Sequence, residues 1–126
     1  MEKINLLAAW IGFLLGFVTG AALGIFFHSE DWLGGYGSWK RRMIRLGHIS
    51  FHGLALINLA FVFTVSYLGL KENLVLPSVL FIIGAVTMPL CCFVCAFKPA
   101  LTPSFAIPVT SLIVAAISVI YLGFIS

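Results

Sequence analysis

Apolar residues fill the chain in four long runs, 4–27, 44–68, 76–97 and 104–124, separated by short polar breaks. Each run holds about 20 residues or more, which at roughly 1.5 Å of rise per residue covers a hydrocarbon core of about 30 Å. The pattern predicts an all-α integral membrane protein, an up-and-down four-helix transmembrane bundle. The runs occupy most of the 126 residues, so residues 1–126 are read as one domain with no separate soluble unit. Met1-Glu2-Lys3 ahead of an apolar run imitates a secretory signal. That run exceeds the usual signal core of about 7–15 residues and is read as the first helix.

Within the first run glycine returns at every fourth position, Gly12, Gly16, Gly20 and Gly24, and the next step of the stripe is His28. Residues four apart share a helix face, so the stripe predicts a glycine zipper, a smooth ridge for close helix packing that ends in an imidazole. Gly84 on the third helix is one candidate receiving surface. The second helix opens with Arg41, Arg45, His48 and His52 at the same spacing. A short turn between the two helices would carry all three histidines toward one membrane surface.

The third run adds Met88, Cys91, Cys92 and Cys95. At about 100° per residue these four occupy roughly one third of the helix circumference, at the depth of His48 and His52. Pro89 stands among them and has no N–H for the Ala85 carbonyl. Irregular backbone at membrane depth is tolerated where it is buried in protein or lines a cavity, which predicts a site between the first three helices.

Composition supports the class: 62% of residues are hydrophobic and 9% charged, against roughly 25% charged in soluble domains, and the mean hydropathy is +1.17. Lys40, Arg41, Arg42, Arg45 and Lys98 fall on one side of the predicted bundle, Lys3 and Lys71 on the other. The positive-inside rule then puts both termini on the outer side of a bacterial-type inner membrane and the 29–43 loop in the cytoplasm. The net charge of +3 is therefore juxtamembrane. Topology and attraction to anionic lipid explain it, and no nucleic-acid module is present. Trp32, Tyr36 and Trp39 mark the 29–43 loop as interfacial, either an anchor or a lid over the histidines.

Thioether and thiolate sulfur with imidazole suit copper(I), so His48, His52, Met88, Cys91, Cys92 and Cys95 are candidate copper ligands, with zinc the second choice. Haem b is the third: His28 facing His48 or His52 across the iron, with Arg45 or Arg41 at the propionates. The structural alternative is that cysteine and methionine simply fill a core, and three cysteines on the cytoplasmic side make no disulfide framework. Glu2, Glu30, Asp31 and Glu72 all lie at span ends, which disfavours carboxylate-coupled transport.

In length the chain is similar to the small multidrug exporters and the fluoride channels, without the membrane glutamate of the first or a motif of the second. No nucleophile elbow, phosphate-binding loop or HExxH helix occurs, so no catalytic residue is nominated. The leading expectation is an accessory or assembly subunit that packs against other membrane subunits or its own copies. The alternative is a metal or haem protein in electron transfer or copper handling.

Overall fold

The computed structural model describes Met1–Ser126 and is helical throughout, with no strand. The helices are α1 (Glu2–Phe26), α2 (Trp39–Leu68), α3 (Val75–Phe97) and α4 (Ala106–Ile120). A 3-10 segment at Pro99–Phe105 leads into α4 and a π turn at Tyr121–Ile125 extends it. Four segments are long and apolar enough to cross a membrane, the fourth running over Pro99–Ile125.

The clearest departure from the sequence pattern is at α2, which begins at Trp39 rather than at residue 44. Ser38 is its N-cap: the backbone is extended there and the Oγ accepts from the Arg41 N–H at 3.2 Å, satisfying one of the donors that every helix start leaves free. Residues 39–43, which fall in the 29–43 loop although Arg41 shares the helical spacing of Arg45, are therefore helical. Gly69 ends the same helix with a φ of 64°, the left-handed conformation that glycine adopts without a Cβ penalty.

Helix α1 lies mainly against α2, α2 against α3, and α3 against α4, with a lesser contact between α1 and α3. The meeting residues set the direction. Gly12 faces Ala55 and Gly20 faces His48; the Phe61 ring is 5.4 Å from Phe81, while Gly47 meets Phe93. Early residues of α1 thus meet late residues of α2, and late residues of α2 meet early residues of α3, so these two pairs run antiparallel. Gly84 is covered by Leu112 of α4 and so is not a receiving surface for α1.

Two small apolar clusters hold the ends. Phe61, Val65, Leu74, Phe81 and Ala115 form one, and Met43, Cys92, Cys95 and Ala96 the other. Because α1 leans chiefly on α2, an apolar trough of about 480 Å³ stays open between α1, α2 and α3.

Candidate functional site

His48 and His52 are one turn apart on the face of α2 that meets α1, with ring centres 5.4 Å apart and planes nearly perpendicular. The glycine stripe of α1 makes their seat. A Cβ at Gly16 would lie 2.5 Å from His52 Nε2, and one at Gly20 would lie 2.8 Å from His48 Cε1. Glycine inside a helix costs about 1 kcal/mol relative to alanine, so two such residues are used here to admit two imidazoles. Gly12 does make the close helix contact that the stripe predicts, its Cβ position being 3.0 Å from Ala55 Cβ, but Gly24 meets nothing within 4 Å. The stripe is therefore part seam and part socket, not a continuous zipper.

Thr19 holds the ring of His48. Its Oγ1 lies 2.7 Å from the Leu15 carbonyl, 3.2 Å from the Gly16 carbonyl and 3.0 Å from His48 Nδ1. With the hydroxyl proton on the Leu15 carbonyl, the shorter contact, His48 Nδ1–H donates to Oγ1 and Nε2 is an acceptor; with the proton turned to Nδ1 the roles reverse. His52 sits between Phe13 and Phe17, with ring centres 6.3 and 5.2 Å away. Both imidazoles are half-buried.

The thiols stand elsewhere. Cys92 lies against Gly47 on the α2–α3 contact, while Cys91 Sγ accepts from Ser104 Oγ at 3.4 Å and Cys95 Sγ is 4.0 Å from the same hydroxyl. Met88 is half-buried and outside the Met43–Cys92–Cys95–Ala96 cluster. No group of three or more His, Cys, Asp or Glu side chains is placed to hold a metal ion. The shared depth is real, since Gly47 beside Cys92 adjoins His48 beside Gly20. Adjacent residues, however, point about 100° apart round a helix, so α2 itself separates sulfur from nitrogen, and the mixed copper or zinc donor set does not assemble.

His28 is exposed, in the turn after α1, with its ring edge-on to Phe27. Gly20, the residue facing His48, lies six residues before the end of α1 at Phe26, about 9 Å of helical rise, so His28 beyond that end does not stand opposite the pair as a haem ligand. Nor do the arginines wait for propionates. Arg41, only 5% exposed, donates to the carbonyls of Phe27, Ser29 and Glu30 at 3.3, 3.0 and 3.4 Å and faces the rings of Trp32 and Tyr36. Arg45 donates to the Tyr36 carbonyl at 2.8 Å and lies 3.9 Å over that ring.

Arg41 is the residue the sequence reading undervalued. Its partners are the carbonyl of Phe27, which caps α1, and two loop carbonyls just beyond, so the cation sits at the negative dipole end of α1. With Trp39 Nε1 donating to the Cys95 carbonyl at 2.7 Å and Trp32 stacked on Phe26, the loop is an anchored connection.

A second polar cluster lies at the far end of the helices, where Asn58, a polar residue of α2 that suggests helix-to-helix hydrogen bonding, meets two residues the sequence did not single out. Asn5 Nδ2 donates to Asn58 Oδ1 at 2.8 Å and to the Ser78 carbonyl at 3.2 Å, Ser78 Oγ donates to Asn5 Oδ1, and Asn58 Nδ2 donates to the Leu54 carbonyl at 2.9 Å. All three side chains are fully buried, and together they tie α1, α2 and α3.

No family model, curated protein or solved structure matches the chain, so its chemistry rests on these contacts. What they offer is one imidazole hydrogen-bonded to Thr19 beside a second without a hydrogen-bond partner, a pair able to give an incoming ion two nitrogen ligands.

Proposed function

We propose that the protein is an accessory or assembly subunit of a membrane complex, multi-pass in a bacterial-type inner membrane, as an up-and-down bundle with both termini outside. The observation that carries this reading is the open trough between α1 and α3. Ile4, Leu7, Ile11 and Leu15 line one wall and Ile82 and Val86 belong to the other, each at helical spacing. Two apolar stripes side by side over about three turns, with Gly12 and Ala55 in the floor, suit a partner's transmembrane helix approaching through small residues.

Photo-crosslinkers at Leu7, Ile11 and Val86 test it. They are expected to give discrete products with one membrane protein, lost when Ala8→Trp fills the trough, while a crosslinker at Phe63 gives none. Products with lipid alone, at every position, would overturn the reading. The metal reading is favoured by one observation, the unbonded nitrogens of His48 and His52 side by side on one face of α2. It requires near-stoichiometric copper or zinc in gently purified protein, lost on His52→Ala; the accessory reading expects less than about one metal or haem per chain.

A further inference from the structure

The five basic residues near the start of α2 and the end of α3 divide into two kinds. Arg41 and Arg45 are consumed by the fold, on four carbonyls and two aromatic rings. Lys40, Arg42 and Lys98 are exposed, and no side-chain hydrogen bond holds them. The Lys40 ammonium rests 5.9 Å from the centre of the Phe97 ring.

Beneath these charges is a hollow of about 520 Å³ bounded by Leu33, Ser38, Trp39, Lys40, Phe97 and Pro99. It has a cation at its rim and aromatic and aliphatic walls, and Trp39 is fixed there by its bond to the Cys95 carbonyl. No carboxylate lines it. Lys98 adjoins two of the wall residues in the chain, which places a second cation beside the same opening.

From this we infer that the hollow is a binding site for one anionic phospholipid, its phosphate headgroup met by Lys40 and Lys98 and one acyl chain lying along Trp39 and Phe97. The inference rests on the multi-pass membrane reading and is independent of the accessory role. The counter-charge that the fold withholds from these lysines is supplied by the lipid. A zwitterionic headgroup carries its own cation into the cluster and binds less well. The two arginines, though nearest in sequence, contribute indirectly by holding the loop that forms one wall. A soluble phosphate would gain the charges but leave the aromatic wall uncovered, so the acyl chain distinguishes the lipid from the free ion.

The test is native mass spectrometry of the full-length protein in mild detergent, offered phosphatidylglycerol or phosphatidylcholine of the same acyl chains. One phosphatidylglycerol is expected to stay bound in preference to phosphatidylcholine. Each exposed lysine near a membrane surface is worth about fivefold in affinity, so Lys40→Gln with Lys98→Gln should weaken retention about 25-fold. Lys40→Arg with Lys98→Arg should retain it, and Lys3→Gln with Lys71→Gln at the other end should change nothing. Both lysines are exposed, and unchanged tryptophan fluorescence confirms that each variant keeps the loop.

Equal retention of the two lipids, or an unaffected glutamine double variant, overturns the site. Displacement of the lipid by millimolar inorganic phosphate also overturns it, by making the occupant a soluble anion. Release of the chain from membranes by alkaline carbonate would instead bring down the multi-pass reading and the lipid site together; a chain that stays in the membrane without lipid preference loses only the site.

Discussion

At the Asn5 end every polar atom is answered by another atom of the fold, whereas at the His48 end the fold goes to some length to admit polar rings and then leaves most of their nitrogens unanswered. Asn5, Asn58 and Ser78 close on one another across three helices, fully buried. His48 has one hydrogen bond, to Thr19, and His52 has aromatic neighbours only. The two regions use the same device, a side-chain polar group within an apolar helix, to different ends. A closed network contributes specificity of packing. The open pair packs through its ring faces and leaves lone pairs without partners in the fold.

The contrast can be broken most forcefully at Asn5. Asn5→Leu strips Asn58 Oδ1 and Ser78 Oγ of their partner at once. Each unanswered buried polar atom costs about 1–3 kcal/mol, although interhelical hydrogen bonds in membranes average only about 0.6 kcal/mol. A loss of about 3 kcal/mol is expected in unfolding of the micellar protein by denaturing detergent, and a loss below about 0.5 kcal/mol would show that the network is not glue.

Next in size is Gly16→Leu, which forces bulk into the space of the His52 ring; overpacking of this kind costs about 1–3 kcal/mol. Gly24→Leu meets open space and should change stability by no more than about 0.5 kcal/mol. Equal effects at the two positions, read from thermal melts followed by circular dichroism, would mean that the whole stripe packs alike and the socket is an illusion.

The smallest effect sharpens the comparison best. His52→Phe keeps a planar ring beside Phe13 and Phe17 and discards the nitrogens, so stability should stay within about 0.5 kcal/mol in the same melts. A penalty as large as that of Asn5→Leu would make the imidazole structural, and the two ends would then differ only in which atoms can be seen to bond.

How far the chain could be read in advance varied with the kind of information. The four apolar runs correspond to four helical segments of spanning length, and the spacing of His48 and His52 did place them on one face. The common depth of His48 and Cys92 was also legible, because rise along a helix is a local quantity. Their separation was not: whether Cys92 and His48 share a cavity depends on how α3 is rotated against α2, and no residue pattern within either helix states that rotation. Gly16 and Gly20 look identical to Gly12 in the stripe, yet the partner opposite decides that one is a seam and two are a seat. Asn5 and Ser78 attracted no notice because each is an isolated polar residue near a helix end. Only their meeting, 73 residues apart in sequence, gives them meaning.

Length and apolarity alone thus settle that this chain makes four helices able to cross a bilayer, since a backbone away from water must satisfy its hydrogen bonds within each segment. Tertiary structure decided which faces of those helices meet. It turned a glycine ridge into a socket, parted sulfur from nitrogen, and gave Arg41 to the end of α1 while leaving Lys40 free. Those outcomes rest on contacts between segments distant in sequence, where side-chain shape and the rotation of each helix about its own axis choose among arrangements that the local pattern leaves equal.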